Sequence, residues 1–77
     1  MEIKILGSGC AKCKRLEQSA REAVEELNLD ATITKVEDIM DIMSYGIATT
    51  PALVVDEKVL IKGRLASREE IKKLLTG

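Results

Sequence analysis

The chain has no histidine, tryptophan or phenylalanine, and only one tyrosine and one proline among its 77 residues. With so little aromatic material, its core must be aliphatic. The lack of histidine beside only two cysteines leaves the chain short of the four ligands that a structural zinc site usually needs, so only a dimer could assemble such a set from thiols. Twelve basic residues face thirteen acidic ones with no block of like charge, which argues against nucleic acid or an anionic membrane surface as partner. No apolar run approaches the roughly 20 residues that span a bilayer, and no charged stretch followed by an apolar one opens the chain. A cytoplasmic, monomeric protein that binds neither nucleic acid nor membrane is expected.

What is present fits one small core. A chain of this length buries only roughly 60 % of the surface that its unfolded form exposes, so residues 1–77 are expected to form a single domain. Apolar residues make up 45 % of the chain and charged residues 32 %.

Both thiols lie in one stretch, Gly7-Ser8-Gly9-Cys10-Ala11-Lys12-Cys13. Structural disulfides are rare in the cytosol, and closing so short a loop would contribute only about 2 kcal/mol in the chain-entropy model. Two cysteines separated by two residues suggest a redox pair or a metal site instead. The stretch follows an apolar strand and runs into a helix, and residues three apart on a helix are neighbours on one face. Unpaired N–H groups and the positive end of the helix dipole favour thiolate over thiol there.

Taken in order, Glu2-Ile3-Lys4-Ile5-Leu6 reads as a short strand ended by Gly7. From Cys13 the apolar positions Leu16, Ala20, Ala23, Val24 and Leu27 recur at helical steps, and Asn28-Leu29-Asp30 supplies a break. Thr32-Ile33-Thr34-Lys35-Val36, β-branched and half apolar, suits a second strand at a sheet edge. Asp38 is a plausible N-cap for a helix of roughly two turns over Ile39-Met40-Asp41-Ile42-Met43, with Gly46 ending it. Helical spacing makes Met40 and Met43 expected core residues rather than soft metal ligands, and Tyr45 is expected to cover core.

Ile47-Ala48-Thr49-Thr50-Pro51 is an extended connector, because a proline disfavours the helical region for the residue before it. Ala52-Leu53-Val54-Val55, continuously apolar, reads as a central buried strand, and Asp56-Glu57 turns it tightly into Lys58-Val59-Leu60-Ile61-Lys62 without the glycine such turns favour. Ser67-Arg68-Glu69-Glu70 has capping-box spacing, with Glu70 expected to reach back, and opens a last helix with Ile71, Leu74 and Leu75 on its apolar face.

The order and the motifs resemble the thioredoxin-like superfamily, and more narrowly the small, glutaredoxin-sized redox-active disulfide proteins of archaea and bacteria. Gly9-Cys10-Ala11-Lys12-Cys13, Tyr45-Gly46-Ile47, Thr50-Pro51-Ala52-Leu53-Val54-Val55-Asp56 and Gly63-Arg64 carry the resemblance, which spans the chain. It implies an α/β fold of order βαβαββα, a four-stranded mixed sheet with helices on both faces. It also implies a cis Pro51 facing the cysteine pair, with the Thr50 backbone offered to an extended substrate. The chain differs from the familiar thioredoxin pattern in having no Trp before Cys10, Ala11 and Lys12 between the cysteines, and no acid inside the first strand.

The activity expected from this resemblance is thiol-disulfide exchange with a disulfide-containing protein, needing no cofactor beyond a redox-active Cys10-Cys13 disulfide. Cys10, nearer the helix start, is expected to attack and Cys13 to resolve the mixed disulfide, after which a reductase returns the electrons. Lys12 is expected at most to modulate the Cys10 thiolate. Two alternatives stand beside this reading. Small metallochaperones place a similar loop between a first strand and helix, and two thiolates can hold Cu(I), although their usual element order differs. A pure interaction module is the other.

Overall fold

A computed structural model describes residues 1–7 and 11–76. Its elements follow the expected order: β1 (Glu2–Leu6), α1 (Ala11–Leu27), β2 (Thr32–Val36), α2 (Ile39–Ser44), β3 (Ala52–Val55), β4 (Lys58–Lys62) and α3 (Arg68–Thr76). The sheet runs β2-β1-β3-β4. β1 pairs parallel with β2, while β1 with β3 and β3 with β4 are antiparallel. The half-polar second strand is therefore an edge, and β3, wholly buried, is central.

Alternation along the strands sorts side chains to two faces. Ile3, Ile5, Leu53, Val55 and Ile61 meet Leu16, Ala20 and Ala23 of α1 and Ile71 of α3 on one face. Leu6, Ala52 and Val54 meet Ile42 and Ile47 on the other, with Tyr45 packed alongside. Alanines fully buried at 20 and 23 leave no bulk to hold α1 off the sheet. In β4 the register slips between Leu53 and Val54, which pair with Ile61 and Val59. Leu60 is the extra residue of this bulge.

The helix ends follow from local chemistry. After α1, Asn28 takes a left-handed φ of 54°, and the N–H groups of Asn28 and Leu29 donate to Glu25 O and Val24 O, both at 3.1 Å. This is the Schellman pattern, with Asn in the place usually held by Gly. Asp38 caps α2, its carboxylate accepting from Met40 N at 2.8 Å. Gly46 closes that helix at φ 74°.

Three expectations need correction or completion. Ser67 Oγ accepts from Glu70 N at 3.1 Å, but the Glu70 carboxylate is held by the Arg64 guanidinium rather than reaching back. An arginine offers a charged, two-pronged donor that a backbone N–H cannot match. Met40 and Met43 are not core: they are 71 % and 62 % exposed, and Ile39 beside them 68 %. A six-residue helix turns too few times to bury every apolar side chain, and only Ile42 reaches the sheet. Finally, the glycine-free hairpin turn has positive φ at both Asp56 (48°) and Glu57 (68°), the signature of a type I′ turn. Such residues cost roughly 1–2 kcal/mol each in that region. Bonds to β1 oppose the cost: Glu2 N donates to Asp56 Oδ1, and Asp56 N donates to Glu2 O, both at 2.8 Å, while Glu57 accepts from Lys4 Nζ at 2.8 Å.

Candidate functional site at the end of the first strand

The site is built where β1 runs out beneath the start of α1. Continuing the alternation of Ile3 and Ile5, position 7 faces α1, and Gly7 N donates to Val36 O at 2.9 Å, prolonging the pairing with β2. Cys13 heads the buried stripe Cys13, Leu16, Ala20, Ala23. That position explains why its side chain is only 5 % exposed, whereas Ala11 and Lys12 lie in solvent.

Gly7 is the meeting point of the expected site residues. A methyl group built on it would overlap Cys13 Sγ, and would lie 3.1 Å from Cys13 Cβ and 3.8 Å from Thr50 Cβ. The thiol and the loop before β3 thus close on the same bare stretch of backbone. The Thr50-Pro51 peptide is cis, as the resemblance implied. Pro51 is buried, and its carbonyl accepts from Gly63 N at 2.9 Å. Gly63 itself has φ 72°, and a methyl there would stand 2.5 Å from Thr49 Oγ1. The loop that contains Thr49 and Thr50 is therefore held between the end of β1 and the end of β4.

Of the expected site residues, Cys13, Thr50 and Pro51 are brought together; Lys12 is an exposed residue of the first turn of α1. Cys10, with Ser8 and Gly9, lies outside the described residues. Gly7 was legible in the sequence only as a strand terminator. The signal that could have found it is its place on the α1-facing side of β1, six residues before Cys13.

Beside Thr50 the surface opens into an apolar hollow of about 450 Å³, walled by Ile39, Ile42, Met43, Ile47 and Ala48. A second hollow of about 400 Å³, between α1 and the loop before α3, is lined by neither Cys13 nor Thr50.

The charged cluster of β1 belongs to the opposite face of the strand. Lys4 Nζ donates to Glu57 and to Tyr45 Oη, the latter at 2.6 Å, and pairs with Glu2 at 3.2 Å. These bonds, Glu57 first, hold the ammonium well above the usual lysine range, and Lys4 in turn holds the Glu57 carboxyl below its ordinary value. Tyr45 covers core there, as expected.

A mixed four-stranded sheet, a cysteine buried at the start of its first helix and a cis-proline loop that meets the same glycine form a thioredoxin-like fold, and similarity to known thioredoxins makes the chain a thiol-disulfide oxidoreductase. Residues 1–76 match the family model described as a thioredoxin domain. A protein named Thioredoxin from Methanothermobacter thermautotrophicus is 49 % identical over 76 residues, covering 99 % of each chain. Another protein named Thioredoxin, from Methanocaldococcus jannaschii, is 40 % identical over 73 residues, covering 95 % of this chain and 84 % of that one. The chain belongs to the thioredoxin family. Among the described residues, no helix is long and apolar enough to cross a membrane.

Proposed function

We propose that this oxidoreductase exchanges electrons with protein disulfides through the Cys10-Cys13 pair. The Cys10 thiolate attacks a partner disulfide, forming a mixed disulfide and expelling one partner sulfur as thiolate. Cys13 then attacks Cys10 Sγ, the Cys10-Cys13 bond forms, and the second partner sulfur leaves. The pair ends oxidised, the partner has gained two electrons, and a reductase restores the dithiol. No cofactor is needed for this cycle. Lys12, exposed, adds at most a weak preference for the Cys10 thiolate.

The observation that carries this reading is the convergence of Cys13 and Thr50 on Gly7. It brings the loop of Thr50 and Pro51 within contact range of the glycine against which Cys13 packs, and on this reading a substrate lying along that loop presents its disulfide to the pair. The apolar hollow on the other side of Thr50 supports a protein substrate, whose side chains could fill it. Family membership favours exchange over Cu(I) carriage.

The test is trapping. Cys10→Ser is expected to abolish exchange, and Cys13→Ser to accumulate a covalent adduct with a disulfide-containing protein, read by mass. A folded Cys13→Ser variant that forms no adduct would falsify the assigned roles.

A further inference from the structure

Gly7 differs from the other glycines that the structure describes. Gly46 and Gly63 sit at φ 74° and 72°, where any side chain strains the backbone. Gly7 has no such φ, so its φ does not demand a glycine. What excludes a side chain is space, and the space is filled by the Cys13 sulfur.

Neither wall of this contact yields easily. Gly7 is tied to β2 through its bond to Val36 O, and Leu6 before it is fully buried. Cys13 is one helical turn from Leu16, also fully buried, so lifting α1 would open the core. A side chain at position 7 would therefore turn the sulfur away, while Cys13 Cβ, 3.1 Å from the new methyl, gives by only a few tenths of an ångström.

Resting on the roles given above to Cys10 and Cys13, we propose that Gly7 is a positioning residue for the resolving thiol. Its bare backbone is the seat from which Cys13 Sγ attacks Cys10 Sγ in the mixed disulfide. In that step the Cys10-Cys13 bond forms as the Cys10-partner bond breaks, and the proton of the Cys13 thiol ends on the departing partner sulfur. Such an attack depends on alignment, and a misplacement of about 1 Å can cost on the order of 100-fold in rate. The preceding attack by Cys10 uses neither the seat nor the Cys13 sulfur.

Reduced full-length protein mixed with equimolar dithiobis(nitrobenzoate) separates the two steps. Attack by Cys10 releases the first nitrothiobenzoate, and resolution by Cys13 releases the second. Gly7→Ala is expected to leave the first release within about twofold of the parent and to slow the second roughly tenfold or more. A second release at the parental rate, or equal losses in both phases, overturns the proposal. Cys13→Ser run alongside should stop after the first release; if it gives both, the role of Cys13 fails and the seat with it. Should Gly7→Ala not fold, Gly7→Ala/Cys13→Ala decides, because the methyl then enters the space that the sulfur left. The double variant is expected to fold and to unfold at a urea midpoint close to that of Cys13→Ala, since the two methyls, 3.1 Å apart as built, need to part by only a few tenths of an ångström. If it does not fold either, the backbone demands the glycine and the inference is wrong.

Discussion

The two faces of the sheet are built to different standards. Against α1 and α3, side chains from both helices and from β1, β3 and β4 close over one another, and charged residues stitch the helices together outside. Arg68 pairs with Glu22 and Glu26 at 3.6 and 2.7 Å, and Lys72 with Glu26 at 3.3 Å. Against α2 the cover is a six-residue helix that contributes one buried residue, Ile42, and leaves Ile39, Met40 and Met43 in solvent. The first face supplies the apolar burial that a small chain needs. The second keeps apolar surface beside Thr50, where a partner protein could use it.

The largest test of this division compares Leu16→Ala with Met43→Ser. Leu16 is fully buried in the closed face, and its truncation should cost about 2–5 kcal/mol in urea unfolding. Met43→Ser should change stability by no more than about 0.5 kcal/mol. It should nevertheless slow exchange with a protein disulfide on the order of fivefold, equivalent to about 1 kcal/mol of lost contact, and leave the reaction with a small aromatic disulfide unchanged. If Met43→Ser destabilises as much as Leu16→Ala, the second face is core and the comparison collapses.

A smaller effect is expected between the two helices. Arg68→Gln removes the pairs to Glu22 and Glu26, and should lower stability by about 0.5–1 kcal/mol at low salt. Near 1 M salt, where the screening length is about 3 Å, the difference should vanish. A loss indifferent to salt would mean that Arg68 acts through the packing of its aliphatic stem.

The smallest concerns Glu17, which ties α1 to the edge strand. Its carboxylate accepts from Arg21 at 2.8 Å and pairs with Lys35 at 3.6 Å, with only 15 % of the side chain exposed. The Arg21 bond first, then the charge of Lys35, lowers its pKa from 4.5 against the opposing effect of burial. A depressed carboxylate stabilises the fold above its unfolded pKa, and that contribution disappears as pH falls from 4.5 through the lower folded value. The stability gap between the parent and Glu17→Gln should therefore be widest near neutrality and narrow below about pH 4.5 in thermal melts. A gap of constant width across that range would assign the residue a packing role only.

Much of this was readable in the chain before folding. The stripe of Cys13, Leu16, Ala20 and Ala23 announced both α1 and its buried side, because seventeen residues give the apolar period room to repeat. The unbroken Ala52-Leu53-Val54-Val55 announced a strand covered on both faces. α2 shows where that reasoning stops: its helix and both of its ends were legible, but its exposure was not. In so short an element the apolar arc is wider than the contact it makes, and the pattern alone does not say which part of the arc meets the sheet. The candidate site divides in the same way. The Cys-x-x-Cys spacing and Thr50-Pro51 stood out as motifs, whereas Gly7 carried no chemistry of its own to draw attention.

By itself, then, the sequence determined the element order, the aliphatic core and the residue types available for sulfur chemistry, because periodicity, turn residues and thiols are local properties. Only the tertiary structure decided that residues 7, 13 and 50 share one contact and that the α2 methionines stand in solvent. Those are facts of packing between separate elements, and no local preference encodes the distance from one element to another.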